Sequence, residues 1–280
     1  IGALLVATGP TVIAPIVEVV AVRDRVEAAL ETEGIVNDVT AAIAAVAVFK
    51  LIMNPNQGNF PTLFVERLGI GVVVGITVAA VLWYLLRYID LSPGNAPQNA
   101  RLLVLAGALV AYAVANYFAA EAGVAAVATA GVVLGNMDIP YEENIAEFKG
   151  DVTLVVLSFV FIALAALLDF GQLVSLGYRG IVVVVAVALV IRPVLVFVST
   201  IGDRFTTEEK VFMSLVGPRG IIPASVATLF AVEMQTRATE LREAGMIAQA
   251  DQLAQGATLL VSVVFLVILA TVVFEGGLAR

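Results

Sequence analysis

Two acids and an amide stand inside an apolar run. They are Glu33, Asn37 and Asp38, in the stretch Glu31-Thr32-Glu33-Gly34-Ile35-Val36-Asn37-Asp38-Val39-Thr40, which continues apolar to Phe49. A carboxylate near the middle of a membrane helix costs roughly 2.5 to 3.5 kcal/mol on insertion scales, so it persists only where it faces a cavity, a partner or an ion path. Asp38 is the first candidate for such a role. Glu33 and Asp38 are five residues apart and fall on different faces of one helix, whereas Glu33 and Asn37 are four apart and share a face. One acid is therefore free to face a solvent cavity while the other pairs with a neighbouring helix. Glu31 reads as an interface residue.

Two arginines lie in apolar surroundings. Arg219 stands between Pro218 and Gly220, where an unpaired guanidinium is too costly to keep, and Glu33 is its expected partner. Arg192, followed by Pro193, lies nearer a span end and reads as a side chain that snorkels to the interface.

The elements that carry these residues are membrane helices. The 280 residues are 61% hydrophobic and 14% charged, against roughly 25% charged in a soluble domain. The fold class is therefore all-α, a polytopic helical bundle read as one transmembrane domain over 1–280 and placed in the cell membrane as a multi-pass protein. Apolar windows give nine spans, at roughly 1–20, 33–53, 64–89, 101–120, 122–136, 152–169, 177–200, 211–233 and 256–275. The chain opens on Ile1 inside an apolar stretch, and the expectation is a fragment of a longer transporter-like protein. With no cysteine and no histidine, proton work falls to carboxylates and no cofactor is expected. A net charge of -8 argues against a nucleic-acid partner; the lipid bilayer is the expected surroundings.

A repeat links the ends of the chain. Gly9-Pro10-Thr11-Val12-Ile13-Ala14-Pro15 and Gly217-Pro218-Arg219-Gly220-Ile221-Ile222-Pro223 share the pattern G-P-x-x-I-x-P. Each proline removes a backbone donor and clashes with the preceding turn, so the first and eighth spans are expected to break in mid-membrane. Seven steps along the succession of spans separate them, an odd number, so they run in opposite directions, the inverted-repeat architecture of secondary transporters. Gly71 with Gly75, and Gly131 with Gly135, are GxxxG pairs that serve either dimer contact or internal packing. Residues 235–255 read as an exposed connection with amphipathic helical character.

Together these segments resemble the sodium/proton antiporters of the NhaP type, in the monovalent cation:proton antiporter superfamily. The resemblance covers nearly the whole chain as the later nine of thirteen spans, with the first four missing. Glu33 to Asp38 is similar to that family's E-S-x-x-N-D segment, Thr8-Gly9-Pro10 falls where the family has Thr-Asp-Pro, and Gly217-Pro218-Arg219-Gly220 looks like its G-P-R-G. Two departures stand out: Gly9 replaces an aspartate and Gly34 a serine, which removes two cation oxygens and leaves sodium and potassium both open.

The resemblance implies a transporter for Na+ or K+ against H+, serving pH homeostasis, and not an enzyme. It implies that Asp38 alternately binds the cation and the proton, with Glu33 and Thr8 at the same site and Asn37, Arg219, Pro10 and Pro218 supporting it. Burial penalises the charged form of a carboxylate, so proton and cation compete for it near neutral pH. Asn37 in place of a second acid implies one proton per cation, and the full-length form is expected to be a homodimer. Rival readings are an intramembrane aspartyl protease using Asp38 and Asp169, whose Tyr-Asp and Gly-x-Gly-Asp signatures are absent, a cation channel, and an inactive truncated transporter.

Overall fold

The computed structural model describes residues 1–7, 22–53, 59–88, 95–166, 170–217 and 220–278. All regular structure among them is helical: α1 (Gly2–Val6), α2 (Asp24–Met53), α3 (Phe60–Tyr88), α4 (Ala96–Phe118), α5 (Ala122–Gly135), α6 (Glu142–Ala166), α7 (Phe170–Ser175), α8 (Gly177–Val185), a π-helical segment (Ala186–Ile191), α9 (Arg192–Ser199), α10 (Thr207–Leu215), α11 (Ile221–Glu243) and α12 (Ile247–Leu278). Five described stretches are long and apolar enough to cross a membrane: Asp24–Met53, Phe60–Tyr88, Ala96–Phe118, Gly177–Ser199 and Ile247–Phe274. The eighth window is split as the repeat requires, with α10 ending at Leu215 and α11 starting at Ile221. Of the first window, α1 ends at Val6 and Ala7, at φ -60 and ψ 127, has left the helix, while Thr8, Pro10 and the rest of the repeat lie outside the described residues. Pro218, Arg219 and Asp169 also lie outside them.

The described chain divides into two compact units, Val46–Ala163 and the pair Ile1–Ala45 with Leu164–Arg280. In the first, small residues set the packing. Gly71, Gly75, Ala79, Leu82 and Leu86 form a buried seam along α3, one residue every three or four positions. A Cβ on Gly71 would lie 2.5 Å from Ala125 Cβ, and one on Gly75 would lie 2.5 Å from the Ala126 carbonyl oxygen. This GxxxG pair is therefore spent on packing α3 against α5 within the chain. Gly131 and Gly135 on α5 have open space where their side chains would be. We expect Gly75→Ala to lower stability by about 1 to 3 kcal/mol, the usual cost of overpacking. Gly131→Ala, added to open space, should leave the thermal unfolding midpoint in detergent unchanged.

The turn between α4 and α5 is fixed by polar groups. Asn116 Oδ1 accepts from the Gly123 backbone N–H at 2.8 Å, satisfying one of the free donors at the start of α5. Arg67 is buried and donates from Nε to the Ala120 carbonyl at 3.2 Å and from Nη1 to the Leu63 carbonyl at 2.7 Å. Its charge is thus solvated by backbone carbonyls. Glu121, at the turn with φ 68, is pushed up from the usual carboxylate range by burial, with Lys50 opposing that shift.

In the second unit, Val26 and Leu30 of α2 pack with Val196 of α9 and with Met213 and Val216 at the end of α10. Helices α11 and α12 form a hairpin whose turn uses Gly245 at φ 82, a left-handed conformation that glycine adopts without a Cβ penalty. The Arg242–Asp251 ion pair at 2.5 Å closes its polar end, so the exposed segment read from the sequence is the tip of two continuous helices.

Helix α10 starts with a capping box. Thr206 Oγ1 accepts from the Glu209 N–H at 3.3 Å, and Glu209 accepts from the Thr206 N–H at 2.7 Å. The backbone N–H of Thr206, then its hydroxyl and the Arg23 guanidinium, hold the Glu209 carboxyl below its ordinary range. Because the folded-state value is the lower one, this contribution is present above the unfolded value and disappears as pH falls through the folded one. Thr206→Ala should cost about 0.5 to 2 kcal/mol, and the deficit relative to wild type should shrink in unfolding curves taken at progressively acid pH.

Candidate functional site

The site is built on α2. Leu30, Gly34, Asp38, Ala41, Ala42 and Ala45 are buried at helical spacing, while Glu31, Thr32, Ile35 and Val36 between them are exposed. Asp38, 9% exposed, is the one acid in that stripe, with a glycine one turn before it and alanines one turn after. Small neighbours keep the carboxylate close to whatever packs on this face. Its Oδ1 is buried and has no hydrogen-bond partner. A buried carboxylate oxygen without a donor is costly, and the usual remedies are a proton or a cation.

Glu33 lies on the adjacent face and is held. Arg192 grips its carboxylate with two donors, Nη1 to Oε1 and Nη2 to Oε2, the latter at 3.0 Å. Asn37 Nδ2 donates to the same Oε1 at 3.1 Å, as their four-residue spacing anticipates. Such a two-point guanidinium grip fixes orientation as well as charge. Arg192 Nη2 also donates to the Val216 carbonyl at 3.1 Å, one of the acceptors left free where α10 stops. A single side chain therefore ties the acid on α2 to the break between α10 and α11.

This corrects the reading of Arg192. It does not snorkel to an interface; its side chain is 7% exposed. The reason is local. Pro193 supplies no N–H and clashes with the preceding turn, and the chain meets it with the π-helical segment Ala186–Ile191, in which the Arg192 N–H bonds to the Val187 carbonyl five residues back. The extra residue turns the guanidinium inward: Gly180, Val187, Arg192, Val196 and Thr200 form the buried face, and Ile191 and Leu195 are exposed. Glu33 has its guanidinium from Arg192, whereas Arg219, the expected partner, lies outside the described residues.

Glu33 and Asn37 line a cavity of about 460 Å³ with Leu5, Ile191, Arg192 and Ser199 among its other walls. Asp38, one face over, is not one of its walls. Among the described residues no three His, Cys, Asp or Glu side chains gather as a resident metal site would need. What the arrangement offers is one buried carboxylate with a free oxygen, beside a second whose charge is already balanced.

The chain matches the family model described as sodium/hydrogen exchanger, transmembrane, over residues 1–279. It is 27% identical over 248 residues to Na(+)/H(+) antiporter 1 of Methanocaldococcus jannaschii, covering 86% of this chain and 58% of that protein. It is 27% identical over 232 residues to the K(+)/H(+) antiporter NhaP2 of Shewanella baltica, covering 81% of this chain and 39% of that protein. The chain thus spans well under two thirds of the length of these relatives. Its fold is similar to the solved structure of the sodium proton antiporter MjNhaP1 from Methanocaldococcus jannaschii at pH 8, with a TM-score of 0.75, 24% identity, and coverage of 99% of this chain and 69% of that one. Matched along almost its entire length, the chain belongs to the transmembrane sodium/hydrogen exchanger family.

Proposed function

We propose that the protein exchanges a monovalent cation, Na+ or K+, for a proton across the cell membrane, with Asp38 accepting each in turn. The observation that carries this reading is the division of labour between the two acids. Glu33 is bound to Arg192 and Asn37, whereas Asp38 keeps a buried oxygen with no donor. Only one of the two is then available to a ligand. A proton and a cation each neutralise that carboxylate, and neither leaves room for the other, so occupancy is exclusive.

Exclusive occupancy of one site gives one-for-one exchange. Asn37 is an amide and Glu33 is already bound by Arg192, so neither offers a second site for a proton or a cation, and the cycle carries no net charge across the membrane. The membrane potential, worth about 2.3 kcal/mol per charge per 100 mV, then has nothing to act on. The break between α10 and α11 supports the reading, since unwound backbone is what secondary transporters place at their ion sites. Thr8 keeps the place at the ion site, and Pro10, Pro218 and Arg219 the supporting roles, that the resemblance implies.

The test is a reconstituted one. In proteoliposomes, an imposed Na+ or K+ gradient should drive proton movement in the opposite direction, at a rate unchanged when the membrane potential is clamped. Cation flux without proton counterflow would make the protein a channel. A strong dependence on potential would defeat the one-for-one stoichiometry.

A further inference from the structure

Arg192 has one nitrogen that makes no hydrogen bond. The Nε–H is buried and without a hydrogen-bond partner, and it lies against Gly217, where a Cβ would come within 2.7 Å of Nε. Both residues line a second cavity, of about 230 Å³, walled by Ala188, Leu189, Ala270 and Phe274 with the hydroxyls of Ser214 and Thr271. Neither Glu33 nor Asp38 borders it, so this space is separate from the carboxylate site.

The chemistry of the walls selects an occupant. Ser214 Oγ already donates to the Lys210 carbonyl at 2.7 Å, and Thr271 Oγ1 to the Val267 carbonyl at 2.9 Å, so the donor left to a guest is Arg192 Nε. The guest must bring an acceptor. An anion is disfavoured, because the guanidinium charge is already balanced by both oxygens of Glu33 and a further negative charge would be buried without compensation. A neutral carbonyl on an apolar chain satisfies every wall. The volume falls below the roughly 300 to 1,000 Å³ of drug-sized pockets, which suits a segment of a chain. Leu189 and Phe274, at 53% and 45% exposure, lie on two of the most apolar spans, so the mouth opens toward hydrocarbon.

We propose that this cavity holds the ester carbonyl and adjoining methylenes of a membrane-lipid acyl chain, with Arg192 Nε donating to the carbonyl oxygen. The lipid completes the hydrogen bonding of the arginine that joins α2 to the helix break. It does so from a cavity that neither Glu33 nor Asp38 borders, and the inference stands whether or not the exchange reading does.

Photolabelling tests it directly. The protein is reconstituted in diacyl phosphatidylcholine doped with an analogue carrying a diazirine near the ester end of one chain, and labelled residues are located by peptide mass spectrometry. Label is expected on Ser214 and Thr271, which are 4% and 6% exposed and out of reach of bulk lipid. The matched ether-linked analogue, which lacks the carbonyl, should label them about tenfold less, the loss expected for one hydrogen bond from a charged donor. Ala270→Phe, which fills the cavity, should remove the label. If that variant fails to fold, Leu189→Trp at the mouth serves the same purpose. Equal labelling by ester and ether lipids, labelling that survives a filled cavity, or none at Ser214 and Thr271 would each overturn the proposal.

Discussion

Asp38→Asn is expected to abolish cation-driven proton flux in proteoliposomes while leaving the thermal unfolding midpoint equal to or above that of wild type. The two halves of this result have separate causes. An amide of the same shape neither takes up a proton nor balances a bound cation, so the exclusive site disappears. The stability follows from what the side chain lacks: Asp38 Oδ1 has no hydrogen-bond partner to lose, and a neutral group in that buried position avoids the cost of burying a charge. Flux that persists in a correctly folded Asp38→Asn protein would place the exchanged ion elsewhere. A large fall in unfolding midpoint would show instead that Asp38 holds the fold together.

Glu33→Gln should do the reverse, lowering stability by about 3 to 5 kcal/mol, the cost of removing one member of a buried ion pair. The burial of the two partners decides which single substitution is worse. The Arg192 side chain is 7% exposed and that of Glu33 28%, so an orphaned guanidinium has less access to water than an orphaned carboxylate. Arg192→Met is therefore the milder change at the pair, although it also strands the Val216 carbonyl, worth about 1 to 3 kcal/mol. Combining Glu33→Leu with Arg192→Met removes both charges together and should recover most of the loss. Denaturation of wild type, Glu33→Leu, Arg192→Met and the double variant in detergent gives the coupling energy, and additive effects would mean that the pair does not act as a unit.

Much of this was legible in the chain. Apolar runs located the helices, and the proline pair at 218 and 223 located the break between α10 and α11, because a missing N–H and a steric clash are local properties. The burial of Asp38 followed from the apolar residues on either side of it, and the Glu33–Asn37 contact from helical spacing alone. The partner of Glu33 was less legible. Hydropathy ranks an arginine by its distance from a span end, and by that measure Arg192 belongs at an interface. Its inward turn depends on the π-helical segment, and its contact with Glu33 spans 159 positions, which no local rule encodes. The available signal was the dipeptide Arg192-Pro193 in an apolar run: a proline that the span must absorb, next to a charge that the same distortion can redirect. The GxxxG pairs were ambiguous for a related reason. Glycine permits close approach without naming what approaches, and only the packing of α3 on α5 assigns Gly71 and Gly75.

The π-helical segment makes the length of this span as specific as its composition. Along the buried face the steps are five residues from Val187 to Arg192, then four to Val196 and four to Thr200. Were the segment to straighten into a regular α-helix without losing a residue, everything downstream would turn by about 100° against everything upstream. The position facing Glu33 would then pass to a neighbour and the guanidinium would swing toward hydrocarbon. A different side chain at position 192 would not repair that, because the fault is an increment of rotation and not a side chain. Straightening at full length would therefore disconnect the acid on α2 from the broken helix, whereas losing one residue here as well would leave Arg192 one α-turn beyond Val187 and keep the two joined.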